Sequence, residues 1–253
     1  MKKRNIMLIG AFLITGITSV SANAGTVVVD NDEWTLSDGG YGSAADTGVF
    51  VKNVASLFSG GGPGANFLVL SSNFGLNGSS FAATMSSIGD NVAYQVNSNV
   101  SLSTLLTYKG VFLAGDAVNN ATLIQYVNAG GNVYLAGGTG VVSAAAEAAQ
   151  WNPLLNAFGL AFAPSYNGVG GNISISSSNP IFAGVTSLYQ NNGNDVYTTG
   201  TNPNAQVLVS TLNREGLYAI SSSSNSAVPE PATMMLFGTG LVGLAGLRLK
   251  RKK

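Results

Sequence analysis

The sequence predicts an α/β fold in three layers, with a mostly parallel sheet, helices on both of its faces and a β-rich C-terminal part. Two observations lead there. Between residues 25 and 160, short continuous apolar runs such as "GTVVVD", "NFLVLSS" and "KGVFLAG" alternate with helix-like stretches. Runs that are apolar throughout, rather than at every second residue, belong to strands covered on both faces. Beyond residue 160 the helical spacing stops, and short β-branched or aromatic runs take over. An all-β sandwich is the competing architecture on Ser, Asn and Gly content, but residues 120–160 are poor sandwich sequence.

The elements follow in order. "GTVVVD" (25–30) is a β-branched strand, and "SAADTGVFVKNVASLF" (43–58) has the apolar spacing of one amphipathic helix. "NFLVLSS" (66–72) is a buried strand, "SSFAATMSSIG" (79–89) a helix closed by Gly89, and "VAYQV" (92–96) a strand. "KGVFLAG" (109–115) is a third apolar run, "NATLIQYVNAGG" (120–131) a helix with a glycine stop, and "NVYLAGG" (132–138) a strand. "SAAAEAAQWNPLLNAFGL" (143–160) is helical, with an interruption or restart near Pro153. "NISISSS", "NPIFAGV", "DVYTTG", "AQVLVSTL" and "GLYAIS" then form the β-rich part.

The 253 residues contain neither cysteine nor histidine. That removes disulfides, thiolate nucleophiles, the commonest zinc ligands and the commonest general base. The zero formal charge hides an asymmetry. Lys2, Lys3 and Arg4 open the chain, and Arg248, Lys250, Arg251, Lys252 and Lys253 close it. Between Gly25 and Ala227 three cations face ten carboxylates, a net −7. Such a body does not neutralise a phosphate backbone, which argues against nucleic acid as a partner.

The N-terminal 24 residues read as a secretory signal. They have a basic start, an apolar stretch from Ile6 to Val20, and Ala22-Asn23-Ala24 as the cleavage pattern before Gly25. This makes the Sec translocon and signal peptidase partners. Residues 25–220 form the α/β domain, and 221–227 ("SSSSNSA") a polar spacer. Residues 232–249 hold no charge until Arg248, long enough to cross a bilayer as a helix. The basic end stays on the cytoplasmic side.

The order Val228-Pro229-Glu230-Pro231, apolar Gly-rich span, "RLKRKK" closely resembles the PEP-CTERM sorting signal. The resemblance implies export in a Gram-negative bacterium as an inner-membrane-anchored precursor. It also implies removal of the tail by exosortase, a membrane-embedded cysteine transpeptidase-like enzyme. The destination it implies is the cell surface or an extracellular matrix of polysaccharide, as in biofilms and flocs.

The body in turn resembles flavodoxin-like architecture of the class I glutamine amidotransferase-like kind. "LIQYVNAGGNVYLAGGTG" looks like the helix, double glycine and strand leading to that family's nucleophile turn. "SNPIFAGV" and "AQVLVSTL" resemble later segments of its trehalose-utilisation-type branch. In the family a cysteine stands on that turn. Here the turn reads Gly137-Gly138-Thr139-Gly140, so the resemblance implies the fold without the glutaminase chemistry.

Three candidate sites remain. Asp30, Asp32, Glu33 and Asp38 follow the first strand, where open α/β sheets bind ligands. They are candidates for a ligand loop or for Ca²⁺, against the plainer reading of a solvated loop that caps the next helix. Trp34 and Tyr41 flank them, and aromatic faces beside carboxylates suit a sugar ring; the plainer reading puts Trp34 in the core. The 137–140 turn is a candidate anion cradle ahead of the 143–160 helix. For catalysis, Asp116 with Asp30 or Asp32 is the carboxylate pair to consider for glycoside hydrolysis, while a helix-capping Asp116 is the simpler reading. The leading expectation is a non-catalytic exported surface or matrix protein with no cofactor, the alternatives being a carboxylate-dependent polysaccharide hydrolase and a purely structural coat protein.

Overall fold

A computed structural model describes residues 24–96, 99–140 and 143–223. The chain runs β1 (Thr26–Asp30), a 3₁₀ turn (Glu33–Leu36), α1 (Asp38–Ser43), α2 (Thr47–Ser59), β2 (Asn66–Leu70), α3 (Ser79–Ser87) and β3 (Asn91–Gln95). It continues α4 (Leu102–Leu105), β4 (Gly110–Ala114), α5 (Asn120–Asn128), β5 (Asn132–Ala136) and α6 (Ala144–Ala157). The β-rich part holds β6 (Leu160–Tyr166), β7 (Gly170–Ser174), a 3₁₀ turn (Pro180–Phe182), β8 (Ser187–Asn191), β9 (Asn194–Thr198), β10 (Gln206–Ser210) and β11 (Gly216–Ser222).

Seven strands make one sheet in the order β10-β11-β1-β5-β4-β2-β3. The five from β1 to β3 in that order pair in parallel. β11 runs antiparallel to β1, and β10 antiparallel to β11. The sheet is therefore mixed α/β and mostly parallel. Its strand order departs from the flavodoxin-like 2-1-3-4-5. Strands β3-β2-β4-β5 fill the first four places, and the fifth belongs to β1, the first strand of the chain.

Both faces are apolar because successive side chains alternate across the pleat. Val28, Phe67, Val69, Phe112 and Tyr134 pack towards α2 and α3, where Phe50, Val54, Phe81 and Met85 meet them. Val27, Val29, Leu68, Leu113 and Leu135 pack towards α5 and α6, against Tyr126, Trp151 and Leu154. The two-stranded β7–β8 and β6–β9 sheets extend these two cores, through Leu188 on the first and Phe162 and Val196 on the second.

Several sequence expectations need correction. The helix expected over 43–58 is α2, which starts at Thr47 rather than Ser43: residues 44–46 part it from α1, and there the Asp46 carboxylate turns away to accept from Thr186 N (2.8 Å) and Oγ1 (2.7 Å). α6 continues through Pro153 without a break. "NPIFAGV" is a 3₁₀ turn capped by Asn179, not a strand. β6 and β8 escaped the sequence reading. β11 takes in Ser221 and Ser222, so the first two residues of the expected spacer are sheet.

Candidate functional site

The carboxyl ends of β1 and β5 lie side by side, and the chain leaves the sheet there through Asn31–Glu33 and the 137–140 turn. Gly137 N donates to Asp30 O at 2.8 Å, which ties the two exits together. At Gly138 (φ 67°) a Cβ would sit 2.7 Å from Gly193 Cα and 3.0 Å from Asn31 O. Three backbones meet there, so glycine is required for close approach. The anion cradle expected of this turn is filled by the protein itself. Thr139 N (3.0 Å) and Oγ1 (2.9 Å) both donate to the Glu147 carboxylate from the first turn of α6.

Asp30, Asp32, Glu33 and Glu147 are all buried, with exposures of 0, 0, 5 and 7%. The Asp30 carboxyl accepts from Tyr134 OH (2.7 Å), Asp32 N (3.2 Å) and Gln190 Nε2 (3.2 Å). The same Gln190 amide also donates to Tyr218 OH (2.8 Å) and Thr35 Oγ1 (3.2 Å), which closes a buried polar network. Asp32 caps the 3₁₀ turn through Trp34 N (2.9 Å) and accepts from Asn191 N. Glu33 accepts from Asn73 Nδ2 on the loop after β2.

Burial pushes all four carboxyls up, Asp30 and Glu33 to about 8, Glu147 to about 7 and Asp32 to about 6. Hydrogen-bond donors oppose the rise without cancelling it, and the charge of Asp32 adds to it at the other three. Tyr166, at the end of β6, is raised by burial and then by the charges of Glu147 and Glu33, so it shares their surroundings. The arrangement holds protonated carboxyls near neutral pH, the state in which a carboxyl donates as well as accepts.

The candidate residues separate. Asp38 leaves the cluster: its carboxylate accepts from Ser79 N (3.2 Å) and Ser80 N (2.8 Å) at the start of α3, which holds it below the usual range. Tyr41 packs against the core beside α2, where a Cβ on Gly48 would lie 3.5 Å from its ring. Trp34 is half-buried, with its ring edge-on to exposed Phe74 (centroids 4.9 Å) and to Tyr189 (6.3 Å). Asp116 accepts from Ser72 Oγ (2.8 Å) and Ser72 N rather than joining Asp30. Nor does it cap α5, which Asn119 does through Thr122 N (3.1 Å). Among the described residues no group of three or more His, Cys, Asp or Glu side chains is placed to hold a metal ion.

Asn73, Glu147, Tyr166 and Gln190 were missed. Only Glu147 had a local signal, an acid in the first turn of a helix that follows a glycine turn. A separate cavity of about 590 Å³ lies at the amino edge, lined by Thr26, Phe58, Tyr108 and Asn132, away from the carboxyls.

Of the two ends, Ala24 is exposed and Gly25 buried, with Gly25 O accepting from Ser223 N at 2.9 Å. Ala22 and the motif Val228, Pro229, Glu230 and Pro231 lie outside the described residues, as does the 232–249 span. No helix among the described residues is long and apolar enough to cross a membrane. No curated protein and no solved structure matches the chain. The family comparison matches residues 227–252 to the PEP-CTERM protein-sorting motif. The chain therefore carries the tail by which exosortase recognises an exported precursor.

Proposed function

We propose that this chain is an exported cell-surface or matrix protein whose α/β body binds rather than catalyses, in association with extracellular polysaccharide. The match at 227–252 carries the reading. The absence of histidine and cysteine supports a non-catalytic body, since it removes the side chains most used as base and nucleophile. Residues 1–24 are the leader, 25–223 the body and 228–253 the removable tail. The body's ligand face is the carboxyl edge, where the Trp34–Phe74 pair stands beside Glu33 and Asn73. That combination offers a sugar ring an apolar face together with hydrogen-bonding groups.

Deleting residues 228–253 tests the sorting. The truncated protein is expected to leave the cell-surface fraction and accumulate as free protein, and an unchanged surface fraction would overturn the reading.

A carboxylate-dependent polysaccharide hydrolase is the second reading, favoured by one observation: burial raises Glu33 to about 8 and Glu147 to about 7, and the charge of Glu147 adds to the rise at Glu33. It shifts the candidate pair away from Asp30 and Asp116. In that reading Glu147→Gln, which keeps an acceptor for Thr139, abolishes release of reducing ends from the polysaccharide while glycan binding persists. If wild type releases none, the non-catalytic reading stands.

A further inference from the structure

We propose that the β3 edge of the sheet pairs with the β3 edge of a second copy, antiparallel and two-fold about Ala93, joining two bodies through one continuous sheet.

The two sheet edges differ. β10 is broken by register shifts at Val207/Val209 and Val209/Ser210, and bulges of that kind blunt an edge against further pairing. β3 pairs with β2 residue for residue from Asn91 to Gln95 without a shift, and among the described residues its outer side has no strand partner. Four of its five residues are exposed. It contains no proline and no charge, the other usual protections.

Electrostatics selects a like copy as the occupant. The body carries a net −7, so two copies repel wherever their carboxylates meet. From Ser71 to Tyr108, the stretch that supplies β3, α3 and α4, the only charged residue is Asp90. Asp90 is buried and accepts from Ala65 N at 2.9 Å. This edge is thus the electrically quiet side of an acidic molecule, where a second copy approaches without that penalty.

The strand is also self-complementary. With Ala93 opposite its own copy, Val92 stands across from Tyr94 and Asn91 across from Gln95, an apolar and an amide pair on each side of the axis. Tyr94 and Val96 are 45 and 67% exposed and line a groove of about 480 Å³ with Ser79, Ala82 and Gln95. A strand of five residues alone makes a small interface. The groove extends it, because the partner's Tyr94 enters alongside.

The test uses residues 25–226, which hold every strand of the described residues and both cores. Light scattering after size exclusion is expected to give a dimer that dissociates on dilution. Tyr94→Lys should weaken it at least about tenfold without lowering the melting temperature. The chain has no cysteine, so Ala93→Cys introduces a sole thiol. Mild oxidation should link two copies through it, since residues directly opposite in an antiparallel pair come within disulfide reach. A monomer at every dilution overturns the proposal. So does a dimer indifferent to Tyr94→Lys that leaves the Ala93→Cys thiols unlinked, or a ladder of higher oligomers, the mark of head-to-tail pairing of β3 with β10.

Discussion

Unfolding of residues 25–226 in urea is expected to show greatest stability at about pH 4–5 and a continuous loss towards pH 8. The cause is the cluster at the ends of β1 and β5. Asp30 and Glu33 hold their protons to about pH 8, Glu147 to about 7 and Asp32 to about 6, whereas in the unfolded chain these groups ionise near their ordinary values of 3.8 and 4.5. Below the unfolded values both states are protonated and the contribution is fully present. Between the unfolded and folded values the native state binds more protons, so rising pH favours unfolding. Above about pH 8 the loss is complete. A single group that keeps its proton from pH 5 to 8 contributes a loss of about 4 kcal/mol over that window. Asp38 and Asp46 act in the opposite sense, because hydrogen bonds hold them low and their contribution disappears in stronger acid. Asp30→Asn stays neutral throughout and should remove about one proton's worth of slope. A urea midpoint that does not move between pH 5 and 8 would falsify the protonated cluster.

Phe112→Ala is expected to cost about 3–5 kcal/mol, a large part of the ~5–15 kcal/mol by which a domain is stable. Phe112 is fully buried at the centre of an aromatic cluster, with Phe81 (5.1 Å), Tyr134 (5.2 Å), Phe67 (6.0 Å) and Phe58 (6.2 Å) around it. These rings come from α2, β2, α3 and β5, so the cavity would loosen the sheet and one whole helical layer together. Leu57→Ala on the exposed side of α2 is the control and should stay within about 0.5 kcal/mol. A loss at Phe112 no larger than at Leu57 would mean that the two layers are not packed around it.

The strands of the parallel half were legible because burial on both faces writes itself into continuous apolar runs, as in "NFLVL" and "GVFLA". Their order was not, since the same runs suit any position in a sheet. Nothing local in "TVVVD" says that it pairs with both β5 and β11. β8 was missed because "SLYQN" alternates weakly and ends in polar residues that serve the site. The site was half legible for a related reason. Asp30, Asp32 and Glu33 announce themselves as neighbours in sequence. Gln190 reaches Asp30 across 160 positions, and Asn73 reaches Glu33 across 40. Asp38 belonged to the cluster by spacing alone, and the short α1 carries it to α3 instead.

The central place of β1 has a consequence for the order of events in assembly. Its antiparallel partner lies almost the whole body away, Thr26 opposite Ser222. At ordinary synthesis rates about 10–40 s separate the emergence of the two strands. Through that interval the first strand has a bare flank, and the sheet cannot close until the last residues of the body have been made. Contacts so distant in sequence are slow to form, so the exported chain completes its fold only when the segment bearing the sorting tail follows it out.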